Sequence, residues 1–284
     1  MKTQTVVRCC GSIACEERVE GDRKMDNKEI LQIALQQSAY DCSCRPEDFL
    51  KKENSVHISE ACEQARRYLV LPHICSLVSY GTNIVAAGQA DILPEIERFI
   101  NEASSIEHCF ETPAIYPLNR ILSVADAEVC FMADYFLPDI DEVFRFEKSC
   151  ACELRILTPD DFAELYRPEW GNALCADRKH LDVLAVGAYE GGRLIGLAGC
   201  SADCDTMWQI GIDVLPEYRR QGIASALTNK LARETFERGR VPFYCAAWSN
   251  VKSVRNALRS GFRPGWVEMA AKKISFVENM VKRE

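Results

Sequence analysis

The sequence predicts an α/β protein, with a mixed sheet in the C-terminal half preceded by a smaller α+β domain. Three observations carry that expectation. Trp208, Ile210, Ile212 and Val214 alternate with Gln209, Gly211 and Asp213, the period of a strand with one buried face, and Pro216 ends it. Ile223, Leu227 and Leu231 then recur at four-residue intervals, the stripe of a helix running to about Arg238, with Gly239 as its stop. Pro242 to Trp248 reads as another strand, so this strand-helix-strand unit predicts a parallel pair with a right-handed crossover.

Taken in order, residues 1–24 read as an unstructured leader and Met25-Asp26-Asn27 as a more natural beginning. From Asn27 a helix pattern runs through Ile30, Leu31, Ala34 and Leu35, with Asp26 or Asn27 as its cap. Ser55 to Ser59 is strand-like. Ile74 to Ser79 and Ile84 to Ala87 flank Tyr80-Gly81-Thr82-Asn83, a hairpin signal. Helices follow over about Leu93 to Ala103 and Pro113 to Ser123, and a strand runs from Glu128 to Phe136. This first domain, 25–148, has no phosphate-cradle motif, and its role is not readable from its residues.

The charged stretch Asp139 to Lys148 separates the halves, and the second domain is expected over 149–284. It opens with strand Leu154 to Leu157, and Thr158-Pro159-Asp160-Asp161 caps the next helix. Tyr166 to Asp182 reads as irregular or helical. Strands Val183 to Tyr189 and Leu194 to Cys200 are joined through Gly191-Gly192, a two-residue hairpin signal. Ser249 or Asn250 caps a helix through Val254, Ala257 and Leu258, which Gly261 ends, and a last strand lies near Trp266 to Ala271.

At 284 residues the chain has room for two domains, and no apolar run approaches the ~18 residues a membrane helix needs. Thr5-Val6-Val7 is followed at once by Arg8 and two cysteines, so the first 24 residues lack a signal-peptide core. A cytoplasmic location is expected. The formal charge of −8 and the absence of a basic stretch interleaved with aromatics argue against nucleic acid as a partner. An amine would be better attracted. Fifteen cysteines is an odd count, so complete internal pairing is impossible. Cys42/Cys44, Cys150/Cys152 and Cys200/Cys204 lack C-x-x-C spacing and the histidines are scattered, which predicts free structural thiols and no metal.

The chemistry-bearing stretch is the turn after Val214. A turn rich in backbone N–H groups at a helix start, with no side chain at Gly222 and with Arg219 and Arg220 beside it, suits a pyrophosphate. Arg219-Arg220-Gln221-Gly222-Ile223-Ala224 resembles the R/Q-x-x-G-x-G/A signature of the GNAT superfamily, the acyl-CoA-dependent N-acyltransferases. The preceding I-D-V-L-P-E-Y resembles that family's strand end, and A-W-S-N-V-K-S-V-R-N-A-L-R-S-G-F, residues 247–262, resembles its second motif. The resemblance covers about residues 151 to 275. The layout of a small domain ahead of this module is similar to some bacterial two-domain acetyltransferases.

The resemblance implies two central parallel strands that splay apart, with acetyl-CoA as co-substrate in the gap. It implies that Ile212 and Val214 receive the pantetheine arm on their backbone. Arg219, Arg220, Gln221, Gly222, Ile223, Ala224 and Ser225 would form the pyrophosphate cradle, and Asn250 and Ser253 would approach the cofactor. The family often carries a tyrosine seven residues after the asparagine, as the acid for the departing thiolate; this chain has Ala257. Candidate catalytic carboxylates are Glu268, Asp205, Asp203 and Glu169. Cys200 and Cys245 read as buried packing. The implied activity is acetyl transfer to a primary amine, on a small molecule or peptide, directly within a ternary complex. The alternative is a non-catalytic acyl-CoA sensor or interaction module. Because every motif lies beyond residue 150, that half is expected to hold the whole cofactor site. The acceptor is not specified, and the oligomeric state is left open, a homodimer included.

Overall fold

The computed structural model describes residues 25–145 and 147–282. The expected leader therefore lies outside the described residues. Helix α1 (Asn27–Cys42) begins with a reciprocal cap: Asp26 accepts from the Glu29 N–H at 2.8 Å, and the Glu29 carboxylate accepts from the Asp26 N–H at 2.9 Å. The chain continues through β1 (Ser55–Ile58), β2 (Cys75–Ser79), β3 (Val85–Gly88), α2 (Leu93–Glu102), α3 (Ile106–Cys109), α4 (Thr112–Leu122) and β4 (Ala127–Pro138). The stretch read as a charged separator contains α5 (Ile140–Arg145), started by Asp139, whose Oδ1 accepts from the N–H groups of Asp141 and Glu142.

The second half comprises β5 (Glu153–Leu157), α6 (Pro159–Phe162), β6 (Asp182–Glu190), β7 (Arg193–Ser201), β8 (Met207–Val214), α7 (Ile223–Glu237), β9 (Val241–Ala247), α8 (Val251–Arg259), β10 (Phe262–Lys273) and α9 (Ile274–Val281). Gly191 and Gly192 carry φ of 56° and 83°, the pair of positive values that a two-residue hairpin requires. Between α6 and β6 the chain makes only 3-10 turns, at Ala163–Leu165, Pro168–Trp170 and Ala176–Leu181.

Among the described residues all ten strands form one mixed sheet, in the order β1-β3-β2-β10-β4-β9-β8-β7-β6-β5. The α/β class with a mixed sheet is thus as expected. The β8–β9 pair is parallel, as the strand-helix-strand unit predicts. Strand β4, from the N-terminal half, lies between β9 and β10. It pairs with β9 from Ala133↔Ala247 to Phe136↔Tyr244, and with β10 from Phe262↔Pro138 to Lys273↔Ala127. The boundary at 148/149 falls in the connection between α5 and β5, yet the sheet runs across it.

One face of the sheet packs on α7 and α8, burying Ile210, Ile223, Leu227, Leu231, Tyr244, Ala257 and Phe262 together. Each such large side chain contributes roughly 1.5–3 kcal/mol by leaving water. The other face packs on α1 through Phe49, Tyr135, Phe243 and Trp266. Among the described residues no helix is long and apolar enough to cross a membrane. Every cysteine among them is unpaired.

Candidate active site

Pairing between β8 and β9 runs from Met207↔Val241 to Ile210↔Tyr244 and stops. Beyond that point β8 follows β7 as far as Val214↔Gly196, while β9 follows β4 as far as Ala247. The two parallel strands therefore part at their C-terminal ends, and the facing edges of Gly211–Val214 and Cys245–Ala247 are left unpaired with each other. A ligand can enter such a gap. Ile212 and Val214 line it, half-buried against the α7 side.

Strand β8 leads into the turn that begins α7. Arg220 and Gly222 have φ of 65° and 83°, and this left-handed pair turns the chain so that successive N–H groups face outward. Among the described residues, the backbone N–H groups of Arg220, Gln221, Gly222, Ile223, Ala224 and Ser225 have no hydrogen-bond partner within the protein. The last three open a 15-residue helix, whose dipole adds positive potential there. A Cβ at Gly222 would meet no atom within 4 Å, so the approach is open. Arg219 folds back, its Nε donating to the Val214 carbonyl at 2.9 Å.

Asn250 caps α8, accepting from the Ser253 N–H at 3.2 Å. The sequence left Ser249 and Asn250 open as the cap; it is Asn250. Ala257 is fully buried between α7 and the sheet and offers no hydroxyl. Tyr244 on β9, which the sequence reading did not single out, carries the hydroxyl nearest in chain order to the parting of the strands. It sits at the last β8–β9 pair, and burial pushes its phenol up, against the opposing pull of the Ser253 and Asn256 side chains. Asn256 in turn donates to Thr228 on α7 at 2.9 Å.

On the opposite face, Gly199 and Gly211 are cross-strand partners with the backbone of Asn172 and Ala173 lying directly over them. A Cβ at Gly211 would stand 1.8 Å from the Asn172 carbonyl oxygen, and one at Gly199 would stand 1.9 Å from that of Ala173. Asp213 holds this loop, accepting from both N–H groups. Nearby, Gln209 donates to the Cys245 sulfur at 3.3 Å.

The four candidate carboxylates have separate surroundings. Glu268, buried on β10, is paired with Arg66 at 2.8 Å, and Arg66 is paired with Asp41 as well. Asp205 is exposed and paired with Arg67. Glu169 is an exposed residue of the Pro168–Trp170 turn. Asp203 is 1% exposed; its Oδ1 accepts from the Ser201 hydroxyl at 2.8 Å and its Oδ2 has no partner. Burial pushes its carboxyl up to about 6, against the Ser201 hydroxyl and the cations Arg178 and Arg66.

The segment between β1 and β2 packs on this face. Arg67 donates its backbone N–H to the Asp203 carbonyl at 2.7 Å, and the guanidinium groups of Arg66 and Arg178 lie 5.4 Å and 5.2 Å from the centre of the Tyr68 ring. Burial pushes the Cys200 thiol up to about 12 and the Cys245 thiol up to about 11. A groove of about 790 Å³ between α1, α5 and the end of α7 includes Glu237 and Gly239. It is the length of α7, about 22 Å, from the N–H-rich turn.

Splayed parallel strands beside a turn of unpartnered N–H groups form an opening suited to a phosphate-bearing ligand at the strand ends. Residues 151–262 match the model of the Acetyltransferase (GNAT) family. No curated protein sequence matches the chain. Among solved structures, a GNAT-family protein from Novosphingobium aromaticivorans is 19% identical with a TM-score of 0.40, the match covering 51% of this chain and 66% of that one. A GCN5-related N-acetyltransferase-like protein from Streptococcus suis is 16% identical with a TM-score of 0.42, covering 54% and 68%. A GCN5-related N-acetyltransferase from Kribbella flavida is 16% identical with a TM-score of 0.45, covering 55% and 63%. This chain thus spans about two thirds of the length of each.

Proposed function

We propose that the chain is an N-acyltransferase that moves an acetyl group from acetyl-CoA to a primary amine. The observation that carries this reading is the run of unpartnered N–H groups from Arg220 to Ser225 beside the opening between β8 and β9. In this reading that turn takes the pyrophosphate, with Arg219 and Arg220 supplying positive charge. The pantetheine arm lies along Ile212 and Val214, and Ser253 borders its path. Asn250 acts first as the cap of α8, with its amide group left over for the cofactor.

Transfer is direct, within one ternary complex. Backbone N–H groups near Val214 stabilise the oxyanion, and holding both reactants in the cleft supplies much of the rate. Asp203 is the base in this reading, because its Oδ2 is free whereas Glu268 and Asp205 are already paired with arginines. The thiolate leaves without strong acid assistance, since a thiol pKa near 8.5 makes it a tolerable leaving group. An amine panel incubated with acetyl-CoA and the protein tests the reading by release of free CoA thiol. Release that depends on one amine class supports it. Tight acetyl-CoA binding with no release across the panel would move the protein to the non-catalytic sensor class.

A further inference from the structure

Far from the splayed strands, three side chains of different chemistry converge. Helix α1 ends at Cys42, and Ser43 in the left-handed region (φ 55°) reverses the chain. Cys44 follows, anchored by its N–H to the Ala39 carbonyl at 3.0 Å. The 3-10 turn Pro46–Leu50 then brings Asp48 back beneath it, with the Arg45 N–H donating to Asp48 Oδ2 at 2.9 Å. Asn83 ties the same turn down, donating to the backbone carbonyls of Asp48 at 2.7 Å and Glu53 at 2.8 Å. His57 arrives from β1, whose register fixes it opposite Ala87.

The donor atoms of Cys44, Asp48 and His57 all lie within 4.8 Å of one another, and His57 Nε2 is 3.8 Å from Asp48 Oδ2. Tetrahedral zinc with bonds of 2.0–2.3 Å holds its ligand atoms roughly 3.3–3.8 Å apart. Side-chain adjustments of about an ångström therefore close the set around an ion. A sulfur, an imidazole nitrogen and a carboxylate oxygen together suit a borderline-soft divalent ion and suit magnesium or calcium poorly. We propose that Cys44, Asp48 and His57 form a binding site for a divalent transition metal of the zinc type, with water as the fourth ligand.

Cys44 and His57 are half-buried, so an ion has a path from solvent. Lys51 now neutralises Asp48, its Nζ 2.6 Å from Oδ1, but its side chain is 54% exposed and free to swing away. Binding releases the Cys44 thiol proton to solvent and exchanges the Lys51 ammonium for the ion. The site ties the end of α1 to β1, an edge strand of the sheet, which among the described residues pairs with β3 alone. Five inter-strand spacings of about 4.8 Å separate β1 from β9, so the metal is a structural clamp and takes no part in acyl transfer.

Cobalt(II) titration of the full-length, reduced, chelator-treated protein tests the proposal, since a thiolate ligand gives a charge-transfer band in the near ultraviolet. One equivalent should saturate that band, and zinc should displace it. Cys44→Ser should abolish the band, and His57→Ala should weaken binding at least tenfold. Cys62→Ser, at a cysteine outside the cluster, should leave the band unchanged, and Lys51→Ala should tighten binding by removing the competing cation. A band that persists in Cys44→Ser, or the absence of any saturable band, would overturn the site. Should Cys44→Ser fail to fold, undiminished affinity in His57→Ala would overturn it equally.

Discussion

The Asp213 carboxylate holds the backbone of Asn172. Its Oδ2 accepts from the Asn172 N–H at 2.8 Å and the Ala173 N–H at 3.0 Å, and its Oδ1 accepts from the Asn172 side-chain amide at 2.6 Å. Across 41 residues of sequence, this clamp presses the loop after the Pro168–Trp170 turn onto Gly199 and Gly211, beneath the diverging strands. Gly211→Ala should therefore force the loop away or strain β8. We expect a loss of about 1–3 kcal/mol, read as a lower urea midpoint with an unchanged slope. An unchanged midpoint would mean that the loop is not packed on β8.

Asp203 should make stability depend on pH with a definite sign. Its folded carboxyl titrates near 6, raised by burial, whereas an unfolded one titrates near 4, so between those values the folded state binds more protons. The stabilisation is complete below about pH 4 and is lost as pH rises through 6, amounting to about 3 kcal/mol. Asp203→Asn should flatten this part of the stability profile relative to the parent. If Asp203 is also the base, kcat/KM should fall below about pH 6, and the asparagine variant should lose about a hundredfold or more in rate. An identical pH-rate profile in Asp203→Asn would remove it from the mechanism.

Local structure was legible wherever its signals are local. The Gly191-Gly192 pair, a cap at Asp26 or Asn27, a cap at Ser249 or Asn250 and the stripe of α7 each rest on neighbours within a few residues, and the fold has the pair, the stripe and caps at Asp26 and Asn250. What was not legible rests on distance along the chain. Arg66 and Glu268 pair across 202 residues, and no spacing rule points from one to the other. Strand β4 reads as an ordinary strand, but nothing in its period shows that it separates two strands from the other half. Asp213 reads as the polar partner in an alternating strand, and only the glycines at 199 and 211 hint at backbone lying over that face.

That position of β4 changes the expectation for a truncated chain. Residues 149–284 contain every motif, but alone they leave β9 without β4 and strip β10 of both β4 and β2. Exposed edges of this length favour aggregation. We expect the isolated 149–284 fragment to show no cooperative unfolding and little soluble yield. A soluble fragment that binds acetyl-CoA as the full chain does would show that the C-terminal sheet closes without β4.

The two cysteines nearest the diverging strands should be chemically silent. Burial holds both thiols above 10, so neither is a thiolate at neutral pH. Cys200→Ala and Cys245→Ala should turn over at near-parental rates, with initial-rate lines that intersect. Parallel lines, or an acetylated cysteine trapped in the absence of acceptor, would transfer the chemistry to a covalent route.

Calorimetry of acetyl-CoA against Gly222→Glu tests whether the turn from Arg219 to Ser225 takes the acyl-CoA pyrophosphate. The space over Gly222 is open, so the new carboxylate would stand among the N–H groups proposed to take the pyrophosphate. A positive φ also strains any side chain there, so folding of the variant is checked alongside by its thermal transition. Saturable binding is expected for the parent and none for a folded Gly222→Glu protein. Parental affinity in that folded variant would contradict this role of the turn.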